Sequence, residues 1–121
     1  MEDLRKEQLE ALHVMIEYIP KLRKGMENVA KELSGKRLSD TDEYLTKVIN
    51  GLNWVIEVYN RTSSLLNEKA NNLDKETINK ACVDFSAAYK NNDFGTQAVL
   101  LTGALMQFVN EFENAAKSFT E

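Results

Sequence analysis

The 121-residue chain contains one cysteine, one proline and five glycines. With Cys82 alone, neither an internal disulfide nor a thiolate metal cluster can form. No apolar run approaches the roughly 20 residues that a membrane-spanning helix needs. The opening stretch MEDLRKEQLEAL is charged and lacks an apolar core, so no secretory signal is expected. These features read as a cytoplasmic protein in a reducing compartment. In that setting the Asn60-Arg61-Thr62 match to a glycosylation sequon is a chance one. A basic surplus is missing as well. Fifteen Lys and Arg stand against nineteen Asp and Glu, a net charge of −4. The charge is uneven: residues 1–37 hold 8 basic and 7 acidic side chains, and residues 38–121 hold 7 and 12. The densest basic cluster is Lys21, Arg23 and Lys24, which Glu17 and Glu27 flank. That pattern fits a solvated helix face, and no nucleic-acid binding is expected from it.

Histidine is equally scarce. Glu10-x-x-His13 has the spacing used by di-iron and di-manganese bundles, but such a site takes this motif from two helices. His13 is the only histidine, so the set cannot be completed and no metal or other cofactor is expected. Cys82 falls on an apolar helix face beside Ala81 and near Phe85, where a small buried hydrophobe belongs. No base is placed near it by the sequence, so a nucleophile is not indicated. Asp93-Phe94-Gly95 matches the metal-binding triplet of protein kinases. The Gly-rich loop, strand lysine and catalytic loop that give the triplet meaning are all missing. A structural reading accounts for the three residues: Asp93 as an N-cap, Phe94 as part of a hydrophobic staple with Ala98, and Gly95 for a tight entry.

What the chain does have is helical periodicity. Few breakers, with many Leu, Lys, Glu and Asn, favour an all-helical fold. From about Asp3 to Leu33, residues Leu9, Leu12, Ile16, Ile19, Leu22, Met26, Val29 and Leu33 step by three or four. Pro20 interrupts the hydrogen bonding inside this stripe, so the helix either kinks there or divides into two; the unbroken period favours a kink. Gly35 suits the C-cap. Ser39 or Asp40 suits the next N-cap, with Glu43 completing a capping box after Asp40. The second helix is expected over about Thr41–Ala70, with Leu45, Val48, Ile49, Leu52, Tyr59 and Leu66 inward. Asp74 begins a third over about Lys75–Lys90, with Ile78, Ala81, Cys82, Phe85 and Tyr89 on one face. The fourth covers about Gly95–Ser118, with Leu101, Leu105, Phe108, Val109 and Phe112 inward. Gly51 and Gly103 fall inside helices, where close packing of another helix or of the Trp54 ring explains them. Were Trp54 partly exposed, it would join Asn50, Gly51, Asn53 and Asn60 in a small polar-aromatic patch. The expected fold is all-α: a single-domain, antiparallel up-down-up-down four-helix bundle with its first helix kinked at Pro20.

Two stretches carry a family likeness: YIPKLRKGMENVAKEL with VINGLNWVIEVYN, and AAYKNNDFGTQAVLLTGAL. Together they resemble small, functionally uncharacterised helical-bundle proteins of Gram-positive bacteria. In size, acidity and helix content the chain is also similar to flagellar and secretion export chaperones. Neither likeness implies an activity.

The unequal helix lengths point to a function. A 16-residue third helix leaves the far end of the first hairpin short of cover, which exposes Leu33, Leu38, Tyr44, Leu45 and Val48. An apolar patch of that kind marks a protein-binding or self-association surface, with a homodimer as its symmetric form. The chain is therefore expected to be a non-enzymatic protein–protein interaction module, a chaperone-like adaptor that masks an amphipathic client segment. The alternative is a small-molecule-binding bundle with a pocket lined by Trp54, Tyr59, Phe85, Phe108 and Phe112.

Overall fold

The computed structural model describes residues 2–35, 37–66 and 75–120. The helices are α1 (Glu2–Ser34), α2 (Thr41–Leu66), α3 (Lys75–Lys90), α4 (Phe94–Thr102) and α5 (Ala104–Thr120). The described residues contain no strand. The expected extension of the second helix to Ala70 and the cap at Asp74 lie outside the described residues.

Helix α1 runs through Pro20 without a break, so it is one helix and not two. Pro20 sits on its exposed side. Early residues of α1 meet late residues of α2. Gln8 donates to the Arg61 carbonyl, Tyr18 stacks on Trp54, and Gly25 faces Val48. Helices α4 and α5 follow α1 in the same sense, with Arg37, just past the end of α1, over Phe94 of α4 and Arg23 of α1 against Asn110 and Glu113 of α5. Helices α1, α2 and α5 share one apolar core with α4, and α3 packs on α4 and α5.

The single helix expected over Gly95–Ser118 is divided into α4 and α5 at Gly103, which has φ −105° and ψ −106°. A Cβ at Gly103 would lie 2.8 Å from the Val99 carbonyl oxygen. Gly103 is exposed, so it serves a backbone break and not the close packing expected for it.

Local chemistry explains the turns. The Thr41 hydroxyl accepts from the Leu38 amide at 2.7 Å and donates to Glu32 at 2.8 Å, tying the end of α1 to the start of α2. Asp40 contributes its backbone carbonyl to the Tyr44 amide. Gly35 follows the last residue of α1, but no glycine among the described residues has a positive φ. The left-handed residue is Asn92, with φ 54°. It closes α3 in a Schellman turn: Asp93 N–H donates to the Ala88 carbonyl at 2.8 Å and Asn92 N–H to Tyr89 at 3.3 Å. Asp93 then caps α4, accepting from the Thr96 amide and hydroxyl. One tetrapeptide thus ends a helix and starts the next. Phe94 is the first residue of α4, not a residue ahead of the cap. Its ring is covered by the Arg37 guanidinium, 3.9 Å from the centroid, in place of a staple with Ala98.

Candidate interaction surfaces

The structure rearranges the surface expected at the first hairpin. Leu33, Leu45 and Val48 belong to the core, and Leu45 is only 2% exposed. Tyr44 is half-buried, and Leu38 alone is open to solvent. The reason is α4. It lies along the last third of α1, where Gly95, Ala98, Val99 and Thr102 face Glu27, Ala30, Lys31 and Ser34. Counting only the short α3 as cover left out the first nine residues of the returning helix.

The five aromatic residues expected to line a pocket do not converge on one. Tyr59, Phe108 and Phe112 pack against one another with centroids 5.3, 5.6 and 6.1 Å apart, two of the three pairs edge to face. All three are buried, so they fill the core themselves. Phe85 is buried on α3 and borders a different space, described below. Trp54 is 39% exposed and stacks edge-on against Tyr18 at 4.8 Å, on another side of α2. The ring that fills the space over Gly51 is that of Tyr18, whose hydroxyl lies where a Cβ would be, and not that of Trp54. The polar-aromatic patch divides for the same reason: Trp54 joins Tyr18, while Asn53 faces the opposite side with Ile49 and Ile56.

On that opposite side the bundle opens between α2 and α3. Among the described residues, no Cα of α2 comes within 8 Å of a Cα of α3. The gap between them is floored by Leu52 and Leu105. Helix α2 contributes Thr46, Ile49, Asn53 and Ile56, a three-and-four spacing along one face. Helix α3 contributes Cys82, Phe85, Ser86 and Tyr89, an i, i+3, i+4, i+7 face, from the other wall. Two connected hollows of about 150 and 250 Å³ share Ile49, Phe85 and Ser86. The only charged residue in their lining is Lys90, at one end. The exposed outer flank of α3 adds Val83, 68% exposed, and Tyr89, 47% exposed.

Cys82 is half-buried in the cleft wall, and burial pushes its thiol pKa up, away from the thiolate. Glu10 and His13 are exposed on α1. Among the described residues, no three of His, Cys, Asp and Glu come together as a metal set. No described helix is long and apolar enough to cross a membrane.

The α2–α3 cleft was not foreseen from the sequence. Its signals on α2 are Ile49, expected inward but only half-buried, and Ile56, half-buried about two turns further on. Tyr89 was assigned to the core, and its exposure marks the outer lip.

Comparison with known proteins adds one match. No curated protein and no solved structure matches the chain. A family model described as a domain of unknown function (DUF8042) matches residues 10–115, which reach into all five helices. The chain belongs to the DUF8042 family.

Proposed function

We propose that the protein is a non-enzymatic protein–protein interaction module of the chaperone-like adaptor kind, and that an amphipathic helix of a partner protein seats in the α2–α3 cleft. The observation that carries this reading is the separation of α2 from α3 over an apolar floor. Two helices that would be neighbours in a closed bundle instead hold apart two parallel apolar rows. An incoming helix lays an i, i+3, i+4, i+7 ridge into such a groove. The lining is neutral except for Lys90, so an acidic residue near one end of the incoming helix completes the fit.

A small-ligand role has less support. The hollows are open to solvent, whereas a ligand site encloses most of its ligand's surface. Three of the five aromatic rings expected to line a pocket, Tyr59, Phe108 and Phe112, are packed against one another. Catalysis has less still, with an exposed lone histidine and a protonated thiol. Self-association remains within the same reading if the incoming helix comes from a second copy. The basis for a dimer centred on Leu45 is gone, because that side chain is buried.

The test is site-specific photo-crosslinking in the native cell, with the crosslinking residue placed at Asn53, at Tyr89, or at exposed Glu111 as a control. The reading expects one discrete adduct from the two cleft positions and none from Glu111. The crosslinked partner segment should show helical apolar spacing. Equal labelling from all three positions would overturn it.

A further inference from the structure

Helices α1 and α2 meet along a second groove, which flanks the buried stripe of α2 on the side away from the cleft. It holds about 390 Å³. Tyr18 and Tyr44 form its half-buried walls, and Lys21, Lys24 and Lys47 line it. No Asp or Glu lines it. Lys21 and Lys24 are exposed and make no ion pair among the described residues. Lys47 reaches Glu43 only at 3.9 Å, with both side chains 75% exposed, so solvent screens that pair. In a chain of net charge −4, this is a local reversal of sign.

Gly25 lies in the same groove, and the fold does not require a glycine there. A Cβ would sit 3.4 Å from Val48 and 3.8 Å from Tyr44, which is ordinary van der Waals contact. Alanine would fit and would favour the helix. The bare backbone therefore keeps open a hollow between the lysines that the packing would allow to be filled.

We propose that this groove docks an acidic segment of a partner protein. An apolar side chain of that segment rests over Gly25, between carboxylates that meet Lys21, Lys24 and Lys47. The cations stand on two helices around an apolar floor that includes Leu22 and Val48. A compact inorganic anion would leave that floor uncovered, whereas an acidic–apolar–acidic peptide covers both. The proposal concerns a different face from the cleft and stands independently of it.

The experiment titrates the purified protein with a short peptide carrying glutamates on both sides of one leucine, followed by amide chemical shifts and fluorescence anisotropy. The expected result is saturable binding centred on Gly25 and Tyr44 that weakens as salt rises. The Lys21→Glu, Lys24→Glu double variant should bind about tenfold more weakly or worse. Gly25→Ala should also weaken binding while leaving the melting temperature undiminished. Asn53→Arg, in the α2–α3 cleft, should leave binding unchanged, which separates failure of this site from failure of the other. The same peptide with glutamine for glutamate, and inorganic phosphate alone, are the control ligands. Absence of saturable binding, equal affinity of the double lysine variant, or displacement of the peptide by phosphate at equal concentration would each overturn the proposal.

Discussion

The hydroxyl of Tyr18 occupies the space above Gly51 where any other residue would carry its Cβ, and Leu22 closes the same space with a methyl 3.0 Å away. Two helices approach closely here because α2 has no side chain at that point. Gly51→Ala should therefore destabilise the protein by about 1–2 kcal/mol, since the overpacking outweighs the roughly 1 kcal/mol that alanine gains in a helix. In a Tyr18→Phe background the hydroxyl is gone and the same substitution should cost markedly less. A double-mutant cycle by urea denaturation measures the coupling. Strict additivity would show that the hydroxyl does not control this space.

Arg23 grips α5 from α1. One guanidinium nitrogen donates to Asn110 at 2.7 Å and to Glu113 at 2.9 Å, and the second reaches the other Glu113 oxygen at 3.4 Å. Glu113 is buried, while Arg23 keeps about a quarter of its side chain in water. The two ends should respond unequally. Arg23→Ala strands a buried carboxylate and should lose about 2–4 kcal/mol, whereas Glu113→Ala leaves a cation that can turn to solvent and should lose less. Paired denaturation curves check the order.

Leu45→Glu places a carboxylate in the core at a position 2% exposed. It should unfold the monomer or lower its stability by at least about 3 kcal/mol. Leu38→Glu, at an exposed position of the same hairpin, should change stability by less than about 0.5 kcal/mol. Circular dichroism melts of the two variants distinguish core from surface. Loss of association without loss of helix in Leu45→Glu would restore the hairpin interface.

Asn92 holds a positive φ at the end of α3. Asn92→Gly should stabilise the protein by a few tenths of a kcal/mol, and Asn92→Ala should destabilise it by about 1 kcal/mol. Thermal melts of both variants report the sign.

The cap beside it depends on pH. Hydrogen bonds from the Thr96 hydroxyl and amide hold the Asp93 carboxyl below its ordinary 3.8. A carboxyl with a lowered folded-state pKa stabilises the fold above its unfolded value and loses that contribution as pH falls through the folded one. Wild type and Asp93→Ala should therefore differ at neutral pH and converge in acid, below 3.8. Amide exchange at Thr96 and Gln97 follows the cap directly.

The legible part of the molecule was whatever repeats. Helical spacing placed Leu12, Ile19, Met26 and Val29 inside, and all four are buried. Asp93 announced a cap through residue type and position. Tertiary facts were less accessible. Arg23 looked like one more solvated cation, because nothing local shows that Glu113, ninety residues away, is buried opposite it. Gly103 looked like a packing glycine, since composition does not separate a helix break from a close approach. The cleft depends on how far apart two walls stand, and each wall's sequence describes only itself.

The break at Gly103 also bears on cooperativity. It leaves α4 as a nine-residue helix, shorter than the roughly 12–15 residues at which an isolated helix becomes even marginally stable. Helix α4 therefore persists through its docking on α1 and through the Gln97 amide, which donates to the Ala88 carbonyl at 3.1 Å. Such a segment belongs to the low-stability end of the native ensemble, and its amides should exchange by sub-global opening before those of α1 and α5. In each opening event the Ala30 side of α1 loses its lid, so exposure of that end of the helix is a property of an excited state, populated according to how tightly α4 is latched.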